Sequence, residues 1–212
     1  MLIKEFPFFT NDECDEIKQY CYKKEKELKD RDPTERYNNS ITTNSYNQYN
    51  FFRDHPIYAE RLANFLTVTE APLEWPIMVQ SWVNIYRKGD GIGWHKHRGD
   101  ALSFNIFIDG DTEPGTAYIL AGKVYEGLSE YDMKVQNYPN KRGYIQIFPS
   151  STYHKVDPVN YERVSLGGTI HHNTSIHSRF DYIDNTNTHS NLDLLALNNR
   201  RENGIIILSK ND

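Results

Sequence analysis

The sequence predicts a mainly β protein with N-terminal helices, folded as a double-sheet jelly roll. Three observations carry this expectation. Five runs, "IMVQSWVNIYR" (77–87), "ALSFNIFID" (101–109), "TAYIL" (116–120), "YIQIF" (144–148) and "RVSLGGTIHH" (163–172), are rich in β-branched and aromatic residues and are separated by Gly, Asp, Asn and Pro turns. Two stretches of helical periodicity precede them. Helices followed by a series of short strands pack on one side of a layered sheet, and no internal repeat breaks the series.

The first helix is expected over 10–29. Thr10 and Glu13 have the spacing of a capping box, and Cys14, Ile17, Cys21 and Leu28 fall near one face. "KKEKELKDRD" continues it as a solvated charged surface, and Pro33 marks the stop. Residues 35–52 mix Asn, Ser, Thr and Tyr without a period and read as a long loop or ragged strand at the rim of a site. A second helix, about 55–67, starts from Asp54 with Pro56 in its first turn and buries Tyr58, Leu62, Phe65 and Leu66. After the β runs, 184–204 is rich in asparagine, and "IIILS" (205–209) suits a closing edge strand.

At 212 residues a single domain is expected. Its helical part spans about 10–67, its jelly-roll core about 75–172 and a C-terminal extension 173–212. Apolar residues make up only 38%, so 15 tyrosines and 10 phenylalanines must supply much of the core volume. A formal charge of −5 weighs against a partner held through its phosphate backbone. No apolar run approaches the ~18 residues of a transmembrane helix, and "MLIKEFPFFTNDECDE" lacks a signal-peptide pattern. The expectation is a soluble, cytoplasmic protein with no membrane partner. Cys14 and Cys21, two turns apart on one helix, are separated by about 10 Å, too far for a disulfide.

"GWHKHRGD" (93–100) sets His95 and His97 on either side of Lys96. On a strand the two histidines share a face. A third, His154, follows an apolar strand and the "FPSS" corner, and Arg163 and Ser165 come after it with a common facing. A jelly roll can bring such segments together from its two sheets. Imidazole suits iron, copper, nickel and zinc alike, so three histidines alone do not select the metal. Asp100 is a nearby carboxylate, but on an extended chain it faces away from His97.

Asn84, Tyr86 and Gly89 before His95 and His97, then "FPS" (148–150), His154, Arg163 and Ser165, resemble the iron- and 2-oxoglutarate-dependent oxygenases. The resemblance is strongest to those of marine phages and bacteria, and it covers roughly 77–172. It implies a double-stranded β-helix (a cupin-like jelly roll) with His95, His97 and His154 as metal ligands for Fe(II). Arg163 would pair with the far carboxylate of 2-oxoglutarate, a role that suits the planar guanidinium fork, and Ser165 would bond the same carboxylate. Tyr86 and Asn84 match positions that touch the cosubstrate in related demethylases. The implied reaction uses dioxygen, releases succinate and CO2, and hydroxylates an unidentified substrate. One departure stands out: His97 occupies the place where most such oxygenases carry Asp or Glu.

Two rival readings come from other classes. One is a three-histidine, cupin-like dioxygenase that does not use 2-oxoglutarate; the other is a catalytically silent phage structural or ligand-binding module. Arg163 and Ser165 argue against the first, and retention of the whole set argues against the second. His171 and His172 are adjacent on a strand and cannot chelate from one face. Trp75, Trp82 and Trp94 read as core or barrel-rim packing, with Trp94 nearest the pocket. The acidic balance favours a small metabolite or a protein side chain over nucleic acid as substrate.

Overall fold

The structure, a computed structural model, describes residues 3–31, 41–43, 49–69, 71, 73–97, 102–110, 112–121, 134–172 and 205–210. Asp100, most of the 35–52 rim, 122–133 and 173–204 lie outside the described residues.

The elements run β1 (Lys4–Pro7), α1 (Asn11–Arg31), β2 (Ile41–Thr42), α2 (Phe51–Asp54), α3 (Pro56–Val68), β3 (Ile77–Tyr86), β4 (Ile92–His95), β5 (Leu102–Gly110), β6 (Thr116–Ala121), β7 (Lys134–Tyr138), β8 (Tyr144–Pro149), β9 (His154–Val156), β10 (Arg163–His172) and β11 (Ile205–Leu208). A major sheet has the order β1-β8-β5-β10-β3-β11, with β2 also on β3; a minor sheet has the order β4-β9-β6-β7. Every pairing is antiparallel. Two facing antiparallel sheets with N-terminal helices are the jelly roll read from the sequence.

The capping box forms: Thr10 N–H donates to Glu13 Oε2 at 2.9 Å and Glu13 N–H to Thr10 Oγ1 at 3.2 Å. Helix α1 buries Cys14, Ile17, Cys21 and Leu28, at spacings of three, four and seven, so one stripe faces the sheet. Both cysteines are free thiols. The start of the second helix differs from expectation. Asp54 ends the short α2, and His55 stands at the cap of α3 without a side-chain cap bond. Asp54 is instead taken up by Tyr20, whose hydroxyl donates to it at 2.6 Å, and by Lys24 at 3.3 Å.

The major sheet divides its side chains by alternation. Along β10, Val164, Leu166 and Ile170 point to the helices, as do Ile77, Val79, Val83 and Ile85 of β3 and Leu102, Phe104 and Ile106 of β5; all are buried in one core with α1, α2 and α3. Arg163, Ser165, Gly167, Thr169 and His171 point the other way, opposite Tyr86, Asn84, Trp82, Gln80 and Met78 of β3. This second face meets the minor sheet and is largely polar. The apolar patch inside the roll is small: Ile3, Tyr118 and Phe148, with Leu120 and Tyr138 against it.

Two strands escaped the sequence reading. β1 is four residues ending in proline, and β7, "KVQNY", is a largely exposed edge strand. Neither carries an apolar alternation to announce it. β11 does close an edge, beside β3.

The two glycines of β10 sit under aromatic rings, one on each face. A Cβ on Gly168 would run into the Phe104 ring and stand 2.6 Å from the Gln80 carbonyl oxygen. Gly168→Val is therefore expected to destabilise the fold by roughly 1–3 kcal/mol. A urea midpoint equal to that of the wild type would contradict this packing.

Candidate metal centre

Strand β9 lies between β4 and β6, and His154 stands opposite His95 on one side and Tyr118 on the other. Antiparallel partners share a face, so the pairing alone turns both imidazoles inward. Their ring centroids are 4.1 Å apart. His97 arrives differently. Strand β4 ends at His95, so alternation does not place it. Its backbone N–H donates to the Ser150 carbonyl oxygen at 3.0 Å, and its ring lies 5.4 Å from His95 and 5.1 Å from His154. Potential ligand nitrogens of the three histidines all lie within 4.8 Å of one another.

Two of the rings have their tautomer set by the backbone. His95 Nδ1 is 2.9 Å from the Gly93 carbonyl oxygen, and His154 Nδ1 is 3.0 Å from that of Thr152. A carbonyl oxygen only accepts, so each Nδ1 bears the proton and donates it. Each Nε2 then keeps its lone pair for a metal. Burial, with His95 and His171 nearby, pushes His97 down to about 4. Burial, then the neighbouring His95, pushes His154 down to about 3 against the opposing Thr152 carbonyl. Both are therefore neutral, metal-ready imidazoles near pH 7. Among the described residues no carboxylate joins the cluster. An all-imidazole set of this size fits a divalent first-row metal with open positions.

Arg163 is the second polar focus. It is 1% exposed, and its Nη2 donates to Thr116 Oγ1 of β6 at 2.9 Å. Among the described residues its Nε and Nη1 have no hydrogen-bond partner. The guanidinium lies 5.9 Å from the centre of the Tyr86 ring, and burial lowers its proton affinity while raising that of Tyr86. A buried cation with two unmet donors is costly, and a carboxylate of matching planar geometry is the group that relieves it. Thr116 is two residues along β6 from Tyr118, the register partner of His154, which is about 7 Å on a strand. Arg163 and the histidines thus lie on the inner side of the roll, their β6 partners within two residues of one another.

Ser165 and Asn84 are buried register partners on the same inner face as Arg163 and Tyr86. Trp82 is buried, not a free platform: its Nε1 would stand 2.6 Å from a Cβ on Gly167, and its ring is 5.5 Å from His97. Trp94 lies under Lys155 Nζ at 5.0 Å. His171 and His172 do point apart, His171 to Thr169 Oγ1 at 3.0 Å and His172 Nδ1 accepting the Glu74 N–H at 3.0 Å. Thr116 and Thr152 were not singled out from the sequence, and Ser150 entered only as the end of the "FPS" block.

The fold is shared with solved enzymes of the 2-oxoglutarate/iron-dependent oxygenase class. A collagen prolyl hydroxylase of Paramecium bursaria Chlorella virus-1, in complex with 2-oxoglutarate, has a TM-score of 0.55 at 15% identity, over 81% of this chain and 96% of that one. HygX from Streptomyces hygroscopicus, with nickel and 2-oxoglutarate bound, has a TM-score of 0.56 at 10% identity, over 81% and 82%. The α-ketoglutarate-dependent epimerase SnoN of nogalamycin biosynthesis has a TM-score of 0.55 at 12% identity, over 80% and 78%. No protein-family model and no curated protein matches the sequence. At these identities the likeness establishes the jelly roll. Among the described residues no helix is long and apolar enough to cross a membrane.

The two depressed histidines make stability depend on pH. With folded values of about 3 and 4 and an unfolded value near 6.5, the unfolded chain binds protons that the folded one refuses as pH falls below 6.5. The metal-free protein should lose melting temperature from pH 7 towards pH 4, and His154→Gln should flatten that slope. An unchanged slope in the variant would show that His154 is not held neutral.

Proposed function

We propose that this chain is an Fe(II)- and 2-oxoglutarate-dependent dioxygenase that hydroxylates a small metabolite or a protein side chain. The observation that carries the reading is Arg163, a buried guanidinium with two unmet donors facing the same pocket as three clustered imidazoles. His95, His97 and His154 hold the metal through one nitrogen each. Arg163, with Thr116 keeping one of its amino groups in place, takes the distal carboxylate of 2-oxoglutarate bidentately. Ser165 adds its hydroxyl to that carboxylate, while Tyr86 and Asn84 line the cosubstrate. When bound, the iron with 2-oxoglutarate and dioxygen supplies the oxidising chemistry: one oxygen atom goes to the substrate C–H bond and the other to succinate, with CO2 released.

Charge supports the assignment. An all-imidazole face contributes no negative charge, so the dianionic cosubstrate meets no repulsion from a ligand carboxylate. The same face admits nickel, copper and zinc readily. That neutrality favours one alternative, direct oxidation of a metal-bound substrate without 2-oxoglutarate; on that reading the unmet donors of Arg163 have no ligand to serve.

Protein prepared without oxygen and loaded with Fe(II) should form succinate from 2-oxoglutarate when oxygen is admitted; no succinate under any loading would reject the dioxygenase. A saturating cosubstrate at ~100 times its Kd should stabilise the metal-loaded protein by about 2.7 kcal/mol in a thermal melt. Arg163→Gln should abolish most of that shift, and an equal shift in the variant would remove Arg163 from the site. His154→Ala should lose the metal on gel filtration, whereas full occupancy would mean that the triad is misassigned.

A further inference from the structure

His97 and His154 share a support that lies outside strands β4 and β9. The turn after β8 presents two carbonyl groups to them: Ser150 O accepts the His97 backbone N–H at 3.0 Å, and Thr152 O accepts from His154 Nδ1 at 3.0 Å. The turn is closed by a bond from Thr152 N–H to Pro149 O at 2.9 Å. The ladder between β8 and β5 stops at the pair Leu102 and Pro149, so Ser150 is the first residue beyond the sheet's own bonds. A side-chain bond continues where the ladder ends: Ser103 Oγ of β5 lies 2.9 Å from Ser150 Oγ, and both residues are 0% exposed. Ser103 sits on the polar inner face of β5, with Thr169 of β10 opposite.

We propose that Ser103 is a positioning residue for the metal centre, acting through Ser150 on the turn that orients His97 and His154. The inference rests on the metal reading above. His97, placed by no strand, depends most on this anchor. If Ser150 is released, its carbonyl can leave the His97 N–H and the third imidazole loses its fixed distance from the other two. The hydroxyl pair thereby decides whether the site acts as a three-ligand centre or a loose two-ligand one. Groups that orient metal ligands from behind have effects of this kind on affinity.

The test uses Co(II), which reports its ligand set through visible d–d bands, on the full chain. Ser103→Ala and Ser150→Ala should each weaken Co(II) binding about tenfold and change the band pattern. The double variant should bind no more weakly than either single, because both substitutions break the same bond. Ser103→Cys, which keeps a weak donor of similar size, should recover part of the affinity, and it or Ser150→Ala carries the test if Ser103→Ala fails to fold. Co(II) affinities of both single variants within twofold of wild type, or losses that add in the double, would overturn the positioning role alone. Wild-type protein that binds no Co(II) would overturn the metal reading and this inference together.

Discussion

Everything at the centre of this molecule depends on the two-faced character of the major sheet. Strand β10 has neighbours on both sides and layers on both faces, so each of its residues has only one direction available. Val164, Leu166 and Ile170 join the helix-side core, and Arg163, Ser165 and Thr169 are left to the interior of the roll. A slip of one residue would put Arg163 among phenylalanines and Leu166 against the pocket, so the hydrophobic core enforces the register of the polar site. Gly167 and Gly168 let the arrangement close, admitting Trp82 on one face and Phe104 on the other.

The site joins two groups that folding alone does not favour. Three imidazoles are held close together, His97 and His154 kept neutral by burial, and a cation is buried a short way along the same pocket without an anion from the described residues to meet it. The protein keeps both because the apolar helix-side core, built from six buried aromatic residues of the N-terminal region and the apolar side chains of the central strands, supplies stability elsewhere. Neither group needs to move far to take a ligand, since the two tautomers are already set by Gly93 and Thr152. That is preorganisation in the ordinary sense: the cost of ordering is met during folding and not during binding.

The parts legible in the sequence were those governed by local periodicity. The spans of β3 and β10 and the capped start of α1 follow from alternation and from Thr10 with Glu13, which need no knowledge of distant residues. The polar edge strand β7 carries no such signal, and Asp54 looked like a cap because its helix-starting chemistry is indistinguishable from that of a residue bonded to Tyr20. The candidate ligands were visible as residue types and, through a family resemblance, as an ordered set. Their meeting was not visible, because the pairing of His95 with His154 depends on a register between segments far apart in the chain. His97 reaches the cluster although it lies outside the strand expected for it, through a backbone bond to Ser150 that no periodicity encodes.

The borders of the major sheet have a consequence in time. Its outer strands pair across most of the chain: Lys4 of β1 lies opposite Ile147, and Ile77 of β3 opposite Leu208 of β11. During synthesis β1 must wait, unpaired, until β8 has left the ribosome, and the flank of β3 from Ile77 to Gln80 stays uncovered until β11 appears. Such distant pairings make folding slow relative to helical proteins of this size. The nascent chain therefore exposes bare strand edges for longer than a locally paired fold would, and a chaperone that shields those edges during translation would serve this topology well.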